Sequence, residues 1–232
     1  MKTEFDTASV ATRLEQIPTA TVFDTLASRG LAGDCCLAYG LHQLTGSGRR
    51  AGPAFTIRWV RDPRPVKDWN PPGLRRLSDY FAPIEPGAIV VVDAAGDRTN
   101  AHWGDMLSLM ASLQGARGVV VDGGIRDTAA IAEIEGFSAF ARYTCPIEAV
   151  PRLRIHEIDV PVLLQGALQS VVCVRPGDWI VADTEAVIVV PVEHLDEVLA
   201  HAEELEVAES SMRADLRAGA SIDEVYRRYG RA

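Results

Sequence analysis

The stretch GVVVDGGIRDT, residues 118–128, limits the fold more than any other part of the chain. Three consecutive valines leave no polar face for water, so they form a strand covered on both sides, as in sheets flanked by helices. GDMLSLMASLQG before it reads as a short helix opened by Asp105 and closed by Gly115. RDTAAIAEIEG after it reads as a second helix closed by Gly136. Helix, buried strand, helix points to an α/β protein. The residues just beyond the valines are less ordinary: two glycines, then the adjacent opposite charges of Arg126 and Asp127.

The remaining segments fit the same class. TASVATRLEQI, stopped by Pro18, and TATVFDTLASRG, closed by Gly30, carry helical spacing behind a threonine start and predict two N-terminal helices. GPAFTIRWV alternates as a strand, whereas RDPRPVKDWNPPG is too rich in proline and charge to be other than a loop, serving as a lid or an interface arm. IEPGAIVVVDA and VRPGDWIVAD each feed a Pro-Gly turn into an apolar strand that ends in aspartate. We read these as one local solution used twice, with glycine supplying the positive φ of a tight turn. FSAFAR, DVPVLL, SVVCV, DWIVAD and AVIVVP read as strands, PVEHLDEVLAHAEELEVAESSMRADLRAG as a long amphipathic helix, and SIDEVYRRYG comes after it. The expected organisation is an α/β catalytic domain over residues 1–190, including the N-terminal helices, and a C-terminal helical extension over 191–232.

Composition removes several classes of function. A chain of 232 residues with 47% apolar content can bury a full core. Its net charge of −9, with no basic run, disfavours nucleic acid, which needs clustered positive charge. No apolar run approaches the ~20 residues of a membrane span, and the N-terminus lacks the apolar middle of a signal peptide, so a cytoplasmic protein with no membrane partner is expected. Cysteines 35, 36, 145 and 173 form no CxxC pair and read as idle thiols. Neither GxGxxG nor GxxxxGK[ST] is present, so nucleotide binding has no motif support.

The charged residues around the two central helices admit two readings. Asp127 is either a hard oxygen ligand for Mg²⁺ or Mn²⁺ or the cap of the helix it precedes. Arg126 is either a planar donor for a carboxylate or oxyanion or a surface residue. Asp105 carries the same ambiguity, and the N–H groups of Met106 and Leu107 could cradle an anion as readily as accept a cap. Gly123 and Gly124 would let a ligand approach the backbone at the strand's carboxyl end. Asp122 reads as a turn-former in preference to a second acidic neighbour of a metal, and His102 as a neutral loop residue or a substrate contact.

Asp105, twenty residues, then Arg126-Asp127 resembles the D-x20-R-D motif of the class II pyruvate aldolases that act on 4-hydroxy-4-methyl-2-oxoglutarate and 4-carboxy-4-hydroxy-2-oxoadipate. That superfamily is shared with the regulator of ribonuclease activity A proteins. TATVFDTLASRG, AGPAFTI, GDML, GVVVDGGIRD, PGDWIVADTEAVIVVP and RADLRAGASIDEVYRRYG also look like family blocks. The resemblance implies a three-layer β/β/α swivelling-type domain with a mixed sheet, assembled as trimers or hexamers with sites between subunits and the C-terminal extension packed on a neighbour. It implies that Asp127 holds the divalent ion and that Asp105 orients a water of the ion's shell. Gly104, Met106, Leu107 and Arg126 would meet a 2-oxo acid, with Arg126 stabilising the enolate oxygen. It also implies a contribution from an acidic residue on a neighbour's C-terminal helix; Glu203, Glu204, Glu206 and Glu209 are on offer, though repeated acid on a helix is ordinarily a solvated face.

The expected activity is metal-dependent cleavage to pyruvate, with oxaloacetate decarboxylation by the same electron sink. Lysines 2 and 67 are the chain's only ones, which disfavours a Schiff-base aldolase. The segment LLQGALQSVVCVRPGD departs from the glycine-rich stretch of many relatives, with Gln165, Gln169 and Ser170 expected to reshape the substrate end. Two alternatives stand beside this reading: a regulator that binds a ribonuclease or helicase, and a methyltransferase, for which the nucleoside-binding loop is missing.

Overall fold

The computed structural model describes residues 6–63 and 76–230. Most of the proline-rich segment, with Lys67, lies outside the described residues, as does Lys2. The chain begins with two helices, α1 (Thr7–Leu14) and α2 (Thr19–Ser28), followed by strands β1 (His42–Thr45) and β2 (Arg50–Arg61). Next come α3 (Leu77–Phe81), β3 (Ile89–Asp93), β4 (Ala101–Trp103), α4 (Asp105–Leu113), β5 (Gly118–Ile125) and α5 (Thr128–Ala132). Strands β6 (Ser138–Thr144), β7 (Leu153–Ile158), β8 (Val162–Gln165), β9 (Val171–Val174), β10 (Trp179–Ala182) and β11 (Val187–Val190) precede the helices α6 (Leu195–Arg217) and α7 (Ile222–Tyr229).

The main sheet is mixed and curled, in the order β1-β6-β5-β3-β2-β10-β11, with β4 beside β5 and β7 beside β2, while β8 and β9 form a separate antiparallel hairpin. Its centre is parallel: Val90, Val91 and Val92 of β3 align with Val119, Val120 and Val121 of β5. β2 is long enough to change partners. Its first residues pair antiparallel with β10, its middle parallel with β3 and its end antiparallel with β7.

Period-two alternation divides these strands between two cores. Val90, Val92, Val119, Val121, Ala139 and Ala141 face one way, into the core that holds Ala111 of α4 and Ile131 of α5. Ile89, Val91, Val120 and Phe140 face the other way, against Val162 and Leu164 of β8, Val172 and Val174 of β9, and Ile180 and Val189. This gives the expected β/β/α layering. The valine run is buried on both faces because each valine alternates between the cores, and each such side chain contributes roughly 1.5–3 kcal/mol relative to exposure.

A third core joins Val10 and Leu14 of α1, Val22 and Leu26 of α2, the outward residues Trp179, Val181, Ile188 and Val190, and Leu195, Val198, Leu199 and Ala202 of α6. The first turns of α6 thus pack on their own chain, and Arg13 of α1 holds Glu203 through two hydrogen bonds of 2.7 Å. After Ala202 the helix buries no residue. α7 is capped by a Ser221–Glu224 box and tied back through Arg228 and Tyr229 to Asp215.

The two N-terminal helices begin at the expected threonines, Thr7 and Thr19, behind Asp6, which accepts from the Ser9 N–H, and Pro18. Other local expectations are corrected. The long C-terminal helix starts at Leu195 after a 3₁₀ turn over Val192–His194. β1, β4, β7 and α3 are additions, too short or too polar in pattern to declare themselves. Both Pro-Gly turns behave as expected, with φ of +90° at Gly87 and +86° at Gly177. Among the described residues no helix is long and apolar enough to cross a membrane.

Candidate active site

β5 runs four residues past its valines because β4 and β6 flank its end: Gly124 lies opposite Ala101 on one side and Tyr143 on the other. Asp122 is therefore inside the strand rather than in a turn. Arg142 Nε donates to one of its oxygens and the Gln165 N–H to the other, at 3.0 Å. The two glycines leave room for neighbouring groups of the fold. A Cβ on Gly123 would stand 2.9 Å from His102 Nδ1, and one on Gly124 would strike Tyr143 and, at 2.7 Å, the Asn100 carbonyl.

Beyond Ile125, the Arg126 N–H donates to the Trp103 carbonyl at 3.0 Å, and Asp127 turns into the left-handed region at φ 58°, ψ 33°. That backbone costs a non-glycine residue of order 1 kcal/mol. The Asp127 side chain does not cap α5. Instead its Oδ2 lies 3.2 Å from Arg126 Nε, and both side chains are about one third exposed, at 39% and 35%. The capping reading of Asp127 is thus excluded by geometry.

The second helix start meets the first at Gly104, the N-cap of α4. A Cβ there would stand 2.8 Å from Asp127 Oδ2 and 3.3 Å from Arg126 Cγ, so only glycine leaves both side chains their places. Asp105 is the first residue of α4, not its cap, and its Oδ1 accepts from the Met106 N–H at 2.7 Å. That N–H, expected to be open to an anion, is engaged here by a neighbour. The Leu107 N–H is another first-turn donor beyond the reach of any preceding helical carbonyl.

Gly104, Asp105, Met106, Leu107 and Arg126 line one cleft of about 260 Å³, with Trp59, Leu77, Val150 and Ile155 among its apolar walls. Asp127 stands beside it, against Gly104. Glu148 also lines the cleft, its carboxylate 3.6 Å from Arg126 Nη1. Sequence reasoning missed Glu148, because a lone glutamate in CPIEAVP belongs to no motif; its place depends on the bridge between Ala101 and Glu148.

His102 is neither in a loop nor exposed. It sits in β4, its ring edge-on to Trp59 at 5.6 Å and its Nε2 3.6 Å from the Asp97 carboxylate. Burial pushes its pKa below the ordinary histidine value, an effect Asp97 only partly offsets, so the ring is neutral. Burial also opposes ionisation of Asp97, but hydrogen bonds from Asn100 and Thr99 outweigh it and hold that carboxyl below its usual range. The C-terminal glutamates separate into kinds. Glu203 is bound to Arg13, Glu206 and Glu209 face Arg213, and Glu204 is exposed, 3.7 Å from His201.

Among the described residues no three His, Cys, Asp or Glu side chains converge as a metal cage. Asp127 nonetheless offers a hard carboxylate unspent on the helix. A Mg²⁺ or Mn²⁺ ion commonly takes one or two carboxylates and fills its other positions with water and substrate oxygens.

A β/β/α fold that brings two helix starts, one guanidinium and two aspartates around a cleft defines a class, and comparison with known proteins gives its family. Residues 19–189 match the family model RraA-like, described as Aldolase/RraA, and the chain belongs to that family. It is similar to an uncharacterized protein of Methanocaldococcus jannaschii, with 35% identity over 59% of this chain and 62% of that one. It is also similar to a protein of Halalkalibacterium halodurans named "putative 4-hydroxy-4-methyl-2-oxoglutarate aldolase", with 34% identity over 81% of this chain and 79% of that one. Among solved structures, that of Streptomyces coelicolor RraAS2, described as an unusual member of the RNase ES inhibitor RraA protein family, superposes with a TM-score of 0.73. The identity is 28%, over 88% of this chain and 96% of that one.

Proposed function

We propose that the chain is a lyase that cleaves a 4-hydroxy-2-oxo acid to pyruvate and a second carbonyl compound. In this reading it works with Mg²⁺ or Mn²⁺ and also decarboxylates oxaloacetate. The observation that carries the reading is Asp127: its backbone is strained and its carboxylate is withheld from the helix it precedes, so that it stands beside Arg126 and Gly104. A divalent cation held by Asp127 would supply Lewis-acid polarisation of the substrate's keto and carboxylate oxygens.

The chain's own residues do the rest. Arg126 presents a fixed donor fork to the oxygen on which charge develops as the C–C bond breaks. Asp105 holds a water beside the acid, and turning to that water frees the Met106 N–H. The first-turn donors of α4 at Met106 and Leu107 then receive the substrate carboxylate at the positive end of the helix. Glu148, which lines the same cleft, would accept the C4-hydroxyl proton. The substrate is a small molecule, with no nucleic-acid or membrane partner. The protein works in the cytoplasm as a trimer or hexamer, in which the part of α6 beyond Ala202 and α7, with the exposed Val207, Leu216 and Ile222, pack on a neighbour.

The test is pyruvate release from oxaloacetate and from 4-hydroxy-4-methyl-2-oxoglutarate, with Mg²⁺, with EDTA and with Asp127→Ala. Turnover of at least one substrate is expected with the metal and background rates in the other two conditions; full activity in EDTA would overturn the mechanism. A second reading, a regulator that binds a ribonuclease or helicase, is favoured by the description of the Streptomyces structure. A folded protein silent on every 2-oxo acid tried would transfer support to it.

A further inference from the structure

A second pocket, of about 190 Å³, opens where the ends of β3 and β5 meet the β8–β9 hairpin, and it shares no lining residue with the cleft. Gln165 and Ser170, expected at the substrate end, line this pocket instead, while Gln169 packs against Gly33 and Gly166. One of its aspartates is spent on one of its arginines, and the rest are not paired with each other. Asp122 has both oxygens engaged, by Arg142 Nε and the Gln165 N–H. Asp97 is engaged by Thr99 and Asn100.

Asp93 accepts the Ala95 N–H at 2.8 Å, and Arg98 reaches the Gln165 side-chain oxygen at 3.3 Å. Among the described residues neither makes an ion pair. In addition, Arg142 Nη2 is buried without a hydrogen-bond partner. A buried donor left unpaired costs free energy unless a ligand or ordered water meets it.

We propose that this pocket binds a small α-amino acid, its ammonium group on Asp93 and its carboxylate on Arg98 and Arg142 Nη2. The pocket presents a carboxylate that makes no ion pair, with Arg58 acting on it only from a distance, and donors on two guanidiniums, the complement of a zwitterion. A plain carboxylate would leave Asp93 without a partner, and a plain amine would leave Arg142 Nη2 orphaned. Burial, and then the nearby Asp122 charge, push the Asp93 carboxyl above its usual range, so a cation placed on it gains the most. Asp97 lies in the wall between this pocket and the cleft, since its carboxylate is 3.6 Å from His102.

The test is thermal unfolding and calorimetric titration of the full chain with glycine, L-alanine, L-serine and L-aspartate, beside acetate and methylammonium. Asp93→Asn and Arg98→Ala are measured in parallel. At least one amino acid at about 100 times its Kd is expected to raise Tm by on the order of 5 °C. It should bind at least tenfold more tightly than acetate or methylammonium, and both variants should lose the binding while retaining cooperative unfolding. No heat and no shift with any amino acid, equal binding of acetate, or binding that survives both substitutions would overturn the proposal. None of these readouts depends on lyase activity, so this inference and the proposed reaction fail separately.

Discussion

Pro86–Asp93 and Pro176–Asp183 use one local recipe, a proline-glycine turn into an apolar strand ending in aspartate, and both glycines take the left-handed backbone the turn requires. Each closing aspartate accepts the N–H two residues on, but the remaining partners differ. Asp183 accepts from Thr19 Oγ1 at 2.8 Å, the Thr19 N–H at 3.2 Å, and the Glu185 and Ala186 N–H groups at 2.9 and 3.3 Å. Burial opposes its charge, but these bonds win and its pKa is lowered. Asp93 accepts one backbone N–H, burial prevails, and its pKa is raised. An aspartate with every lone pair engaged holds the fold. One with oxygen to spare, such as Asp93 or Asp127, is a candidate to receive a further group.

The sharpest break would come from stability. Asp183→Ala strips the anchor of the α2 start and should cost about 3 kcal/mol in urea unfolding, whereas Asp93→Asn should change stability by less than about 0.5 kcal/mol. Equal losses would erase the contrast. In the cleft, Arg126→Lys keeps the charge and loses the fork, so kcat/KM for pyruvate release should fall by ~10²-fold with Tm unchanged. Gly104→Ala is compatible with its extended backbone but places a methyl group against the Asp127 carboxylate. It should lower activity by roughly tenfold or more while leaving unfolding nearly as in wild type. A variant with undiminished activity would show that Asp127 need not stand there.

The smallest effect is the pH slope. With its pKa below the usual 3.8, Asp183 stabilises the fold above that value, and the contribution is lost as pH falls through the folded pKa. Asp93 has the opposite sign. Its raised pKa favours the fold at low pH, and that contribution is lost as pH rises from 3.8 through the folded value. Burial raises the Asp178 carboxyl as well, so the downward component of Tm measured across pH 3 to 6 should shrink just above 3.8 in Asp93→Asn and stay undiminished in Asp183→Asn.

Much of this was legible in the chain. The valine run, the two Pro-Gly turns and the helix before β5 carry their signals within a dozen residues and stand where the pattern put them, whereas the helix after β5 ends at Ala132, short of the Gly136 expected to close it. The D-x20-R-D spacing singled out Asp105, Arg126 and Asp127, and the first two line one cleft with the third beside it. Asp122, His102 and Glu148 were misread or missed for one reason. Their surroundings are supplied by Arg142, Trp59 and Arg126, residues distant in sequence or brought close only by a strand bridge.

The order of the residues determined the class of fold, because alternation and turn chemistry are local and act before any long-range contact forms. It also determined which charged residues merited attention. Whether each aspartate is a cap, an ion-pair partner or a free ligand was decided only in three dimensions, where a carboxylate's hydrogen bonds and burial are set by groups that chain order does not place beside it.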